Sequence, residues 1–136
     1  MSTTRDIVIL VATTRKEKQE AIEYINTRMI EVFQCDPPET TGLILVGKQN
    51  DIPVASIVMY APDPASKLPL EMRYDFCKNS IDEIRSEVVE GSRWLASIPD
   101  VSLLILKTAA EISLQLGKKY MLIEAKEYSV KRLRQL

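Results

Sequence analysis

The chain has 136 residues, with 18 basic against 19 acidic side chains and a formal net charge of −1. Its 46% hydrophobic and 27% charged content is that of an ordinary globular domain, which excludes disordered, fibrous and two-core organisations, and the balanced charge gives no electrostatic drive toward nucleic acid or an anionic membrane. There is no histidine, so Ser-His-Asp and Cys-His nucleophile pairs are excluded, and any chemistry falls to carboxylates, Arg, Lys, Tyr, hydroxyls or backbone groups.

Residues 5–12, RDIVILVA, are a β-branched run that reads as a buried strand. Thr13 and Thr14 offer a hydroxyl cap to a helix with Ile22, Ile25, Met29, Ile30 and Phe33 on one face, and Cys35-Asp36-Pro37-Pro38 stops it. GLILVGK (42–48) and PVASIVMY (53–60) flank Gln49-Asn50-Asp51-Ile52, whose Asn-Asp pair suits a tight hairpin turn. Residues 61–66 read as an exposed loop. LEMRYDF (70–76) alternates apolar and charged residues as a half-buried strand, and NSIDEIRS (79–86) as a short helical turn leading to a strand, EVVEGSRWLAS (87–97). Asp100 reads as the cap of VSLLILKTAAEISLQLG (101–117), a helix apolar on almost every face and closed by Gly117. KYMLIEA (119–125) reads as a buried strand and EYSVKRLRQL (127–136) as an amphipathic helix. The order predicts a single α+β domain, 1–136, with a central mixed sheet covered by helices on both faces.

Cys35 and Cys77 have no CxxC context and no partner ligands, so they read as small buried hydrophobes in a reducing compartment and no metal site is expected. No run approaches the roughly 18 apolar residues of a membrane span. Ile7–Ala12 is too short for a signal sequence, which leaves a cytoplasmic protein as the expectation.

The 87–97 strand carries Glu90-Gly91-Ser92-Arg93, then an apolar and a small residue, and is followed by the long helix with Ala109, Ala110 and Gly117, the strand KYMLIEA and SVKRLRQL. In these features the sequence resembles the GNAT superfamily of N-acyltransferases. Over 68–136 it is similar to the branch of N-acyl amino acid synthases and acyl-homoserine-lactone synthases. The resemblance implies a three-layer α/β/α fold without the family's last strands, so that the chain is a fragment, is completed by a partner, or has lost activity. It implies acyl transfer from a thioester to an amine, with Glu90 and Arg93 on the strand that borders the donor groove. Glu90 would serve as base, and Arg93 would hold an acceptor carboxylate or orient Glu90. Tyr128, with Tyr120 as the weaker candidate, would reprotonate the leaving thiolate, while Trp94, Ala96, Ser97 and Ser102 would line the donor site. By alternation, Glu90 and Arg93 face opposite sides of a regular strand and become neighbours only if the strand bulges, which Gly91 would allow.

Two features depart from the family. Ser97-Ile98-Pro99-Asp100 stands where coenzyme A-binding members carry a Gly-rich phosphate loop. The aspartates and Trp of the lactone synthases are not recognisable between residues 24 and 52. The reading is therefore an acyltransferase moving a fatty acyl group from acyl carrier protein or acyl-CoA to the amine of a small acceptor such as an amino acid. Acyl-CoA or acyl-phosphopantetheine is the cosubstrate, and no cofactor is covalently bound. The carrier protein is preferred because phosphopantetheine needs less positive charge than coenzyme A, and Lys131-Arg132-x-Arg134 could meet its acidic surface. The alternatives are a GNAT N-acetyltransferase using acetyl-CoA, and a truncated GNAT-like domain acting as a non-enzymatic binding module or homodimer.

Overall fold

The structure, a computed structural model, describes residues 6–34, 42–61 and 84–123. The expected strand 70–76, most of the turn 79–86, the helix 127–136, Cys35, Cys77 and Tyr128 lie outside the described residues. Among those described, the elements are β1 (Ile7–Val11), α1 (Arg15–Phe33), β2 (Leu43–Gln49), β3 (Ile52–Tyr60), a short 3₁₀ turn (Arg85–Glu87), β4 (Val88–Ala96), α2 (Pro99–Gln115) and β5 (Tyr120–Ile123).

Thr14 starts α1 through a reciprocal cap: its Oγ1 accepts from the Glu17 N–H at 3.1 Å, and the Glu17 carboxylate accepts from the Thr14 N–H at 3.0 Å. The helix ends on Gln34, in the left-handed region at φ 53°, with the prolines further on. The β2–β3 hairpin closes through Asn50 and Asp51 at φ 53° and 65°, the two left-handed residues that match the right-handed twist of the flanking strands.

The cap of α2 differs from expectation. Ile98 is the cap residue, Pro99 occupies the first helical position, and Asp100 lies within the first turn without capping. Proline suits that position because its missing N–H would have no partner there, and this moves the start of the helix back from 101 to 99. The helix is also not buried all round: Val101, Ile105, Leu106, Ala109 and Ser113 form its buried face, while Lys107, Glu111 and Leu114 are exposed. Gly117, at φ 82°, follows its end, and the Lys118 N–H returns to the Ser113 carbonyl at 2.9 Å. On α1, Ala21 and Ile25 are the buried positions, and Ile30 is 54% exposed rather than inward.

The five strands lie in the order β1-β2-β3-β4-β5, antiparallel except for the parallel β4–β5 pair, so the sheet is mixed as predicted. Alternation divides its two faces. Ile44, Val46, Val58 and Leu95 pack against Ala21 and Ile25 of α1. Leu45, Ala55, Ile57, Met59 and Val89 pack against Val101, Ile105, Leu106 and Ala109 of α2. Each large aliphatic side chain fully buried in this way contributes about 1.5–3 kcal/mol. Among the described residues, no helix is long and apolar enough to cross a membrane.

Candidate active site

The candidate site is built on β4, whose pairing with β3 is interrupted. Tyr60 faces Glu90, Met59 faces Gly91 and Val58 faces Ser92, and the register then resumes at Ser56–Leu95 and Ala55–Ala96. Arg93 and Trp94 together oppose Ile57, and Arg93 adopts the left-handed region at φ 48°. This is a β-bulge. It sits two residues beyond Gly91, where sequence reading placed it. Gly91 has another role: a Cβ there would lie 3.3 Å from side-chain atoms of both Ile123 and Ile57, so the missing side chain leaves room for these two from the neighbouring strands to pack over β4.

The bulge changes which residues are neighbours. Val88, Glu90 and Ser92 project to the α1 face and Val89 to the α2 face; after the extra residue, Trp94 and Ala96 pack on the α2 side and Leu95 on the α1 side. In a regular strand, Arg93 would follow Val89 and Gly91 to the α2 side. Its Nη1 instead donates to the Tyr60 hydroxyl at 2.9 Å and to Ser92 Oγ at 3.3 Å. Tyr60 is the direct cross-strand partner of Glu90, so Glu90, Tyr60, Ser92 and the Arg93 guanidinium share one face. Glu90 is 1% exposed and held by interactions of its own. A left-handed non-glycine residue costs on the order of 1–3 kcal/mol, which the surrounding structure must offset. The buried Ser56 hydroxyl supplies part of this by donating to the Arg93 carbonyl at 3.0 Å.

The parallel β4–β5 ladder runs from Val88–Tyr120 to Gly91–Ile123, so its described pairing stops one residue before the bulge begins to form. The four expected donor-site residues fall into two pairs. Trp94 Nε1 donates to the Ser102 carbonyl at 2.8 Å, binding β4 to the first turn of α2. Ala96 and Ser97 are held by α1: the Ala96 carbonyl accepts from Arg28 at 3.1 Å, and Ser97 Oγ lies 2.9 Å from the Tyr24 hydroxyl. Burial raises the Tyr24 pKa, against the opposing effect of its Ser97 hydrogen bond, so the phenol stays protonated through neutral pH. At the β4–α2 corner the Ser97 N–H is taken by the Val54 carbonyl at 2.8 Å, Pro99 has no N–H, and Asp100 places a carboxylate in the first turn. That corner is poorly equipped to cradle a pyrophosphate.

At the other end of the sheet is an apolar pocket of about 340 Å³, lined by residues including Leu43, Met59, Tyr60, Val89, Leu116 and Lys118. Tyr60 thus belongs both to this pocket and to the Arg93 cluster. Gly42, at φ 103°, makes that possible, because a Cβ there would lie 3.0 Å from the Tyr60 ring and 2.8 Å from the Met59 carbonyl. Tyr120 is 48% exposed at the start of β5. The sequence placed Tyr60 as the last residue of the strand 53–60 and did not single out Ser56, Tyr24 or Arg28. For Ser56 the signal was present: the one serine in the otherwise largely apolar strand PVASIVMY.

A mixed five-stranded sheet with one helix on each face is the architecture of the GNAT-like N-acyltransferase fold, and solved structures of that fold superpose on this chain. FeeM, an N-acyl amino acid synthase from uncultured soil microbes, superposes with a TM-score of 0.77 at 11% identity, over 93% of this chain and 75% of that one. The acyl-homoserine-lactone synthase LasI gives 0.68 at 8% identity, over 95% and 77%. An integron cassette protein from the mobile metagenome of V. cholerae gives 0.55 at 9% identity, over 96% and 82%. The sequence itself matches no protein-family model and no curated protein. The fold expected from the sequence is therefore the fold observed.

Proposed function

We propose that this chain is a GNAT-type acyltransferase that moves a fatty acyl group from a thioester donor to the amine of a small acceptor such as an amino acid. The observation that carries the reading is the bulge at Arg93, which turns its guanidinium onto the face of the buried Glu90. In the reaction, Glu90 takes one proton from the acceptor ammonium and frees the amine. The nitrogen then attacks the thioester carbonyl, the new C–N bond forms, and the C–S bond breaks. The second proton shed by that nitrogen ends on the departing sulfur, with Tyr128 the candidate to give a proton to the thiolate and regain one from the nitrogen. Arg93 steadies the acceptor carboxylate or the charge on Glu90.

The donor is acyl carrier protein in preference to acyl-CoA, because the β4–α2 corner offers few amide donors and carries Asp100. The apolar pocket beside Tyr60 supports a long acyl chain over acetyl, its volume falling at the lower end of the range for ligand sites.

Thermal denaturation with each donor, together with mass spectrometry of the products, tests this. Long-chain acyl carrier protein at about 100 times its Kd should add roughly 2.7 kcal/mol of stability, and acetyl-CoA much less. Equal stabilisation by acetyl-CoA would give first place to an ordinary N-acetyltransferase. No stabilisation by any donor, with no N-acyl product, would leave a non-enzymatic binding module.

A further inference from the structure

Arg93 reaches the face of Glu90 only because two things are held away from their default state: its backbone and its side chain. The backbone is left-handed at φ 48° in a residue that carries a Cβ. Its carbonyl lies where the ladder skips Ile57, and it accepts instead from the Ser56 hydroxyl at 3.0 Å. Ser56 is 0% exposed and is the one hydroxyl-bearing residue of β3 apart from Tyr60. A side-chain donor at this depth makes good the ladder bond that the bulge removes. Four residues along the same strand, and so on the same face, Tyr60 accepts from Arg93 Nη1 at 2.9 Å. Gly42 leaves the space in which the Tyr60 ring lies.

We propose that Ser56 and Tyr60 are positioning residues for Arg93, Ser56 holding its backbone in the bulge and Tyr60 holding its guanidinium on the face of Glu90. This deepens the acyltransferase reading and rests on it for its catalytic consequence, although the positioning itself is a property of the fold. Ser56 need not touch substrate, and Tyr60, whose ring lines the apolar pocket, acts on Arg93 through its hydroxyl. Ser56 acts through the carbonyl of Arg93, and Tyr60 through its side chain. Replacing Ser56 should return Arg93 toward the alternation that a regular strand imposes, and replacing Tyr60 should free its guanidinium to leave the face of Glu90.

The test uses Ser56→Ala and Tyr60→Phe, each of which removes one hydroxyl, with two readouts. The first is independent of activity: crystal structures, with the Arg93 Nε–H NMR signal followed in solution. Ser56→Ala is expected to release the left-handed φ of Arg93. Tyr60→Phe is expected to keep the bulge but shift the Nε–H signal as the guanidinium moves. The second is the kinetics of acyl transfer. Each variant should raise the acceptor KM or lower kcat by about tenfold, and neither should have a further effect in an Arg93→Ala background. Retention of both the bulge and the Arg93 signal in the variants overturns the proposal, whatever the activity. Movement of Arg93 with unaltered kinetics in an active protein overturns it as well. If the wild-type protein transfers no acyl group, the acyltransferase reading fails by itself, and the structural readout alone upholds or overturns the positioning.

Discussion

Glu90→Gln separates a catalytic carboxylate from a structural one, because the two roles predict effects of different size in different assays. Glutamine keeps the volume and hydrogen-bonding reach of glutamate but does not take a proton at neutral pH, so the 1% exposed site remains filled. If Glu90 is the base, turnover should fall by about 10² to 10⁴, equivalent to a barrier increase of roughly 2.7–5.5 kcal/mol. If Glu90 only pairs within the sheet, the cost is that of weakened charged hydrogen bonds, about 1.5–3 kcal/mol of stability. For a domain with at least about 5 kcal/mol of stability, losing 3 leaves about 2, and roughly 97% of the molecules stay folded at 25 °C. Unfolding therefore cannot produce a hundredfold loss at that temperature. Steady-state kinetics at 25 °C, paired with a thermal melt of the same samples, make the comparison. A Tm several degrees lower with activity per folded molecule unchanged would refute the catalytic role and leave Glu90 a structural group of the sheet.

Two further predictions concern the frame that holds the site. The Thr14 backbone and hydroxyl hold the Glu17 carboxyl at a pKa of about 2. A depressed folded-state pKa stabilises fully above the unfolded carboxylate range, so the Tm advantage of wild type over Glu17→Gln should shrink as pH falls from about 4.5 to 2. A difference independent of pH over that interval would refute the cap's contribution. Ile105→Ala removes a side chain that is 0% exposed at the centre of the α2–sheet contact, and chemical denaturation should show a loss of about 2–5 kcal/mol. A loss under 1 kcal/mol would mean that α2 is not anchored through this face.

The order of the described elements and the hairpin were legible in the sequence because they rest on short-range physics. A β-branched run cannot pack well as a helix, Asn50-Asp51 accepts left-handed φ where most residues resist it, and Thr14 with Glu17 satisfies a helix start within four residues. The residues around Glu90 and Arg93 implied a fold, and that fold is the one seen. Other features depended on contacts between elements distant in the chain. The position of the bulge could not be read from Gly91, because a glycine both permits a bulge and permits close packing, and here the neighbouring strands take the second option. Asp100 has the chemistry of a helix cap, yet Pro99 before it already fits the first helical position and shifts the cap to Ile98. The face on which Arg93 lies was set by Ser56 and Tyr60, more than thirty residues earlier in the chain. Alternation along one strand specifies facing only while the ladder is regular, and whether it stays regular depends on which distant group satisfies the carbonyl left over.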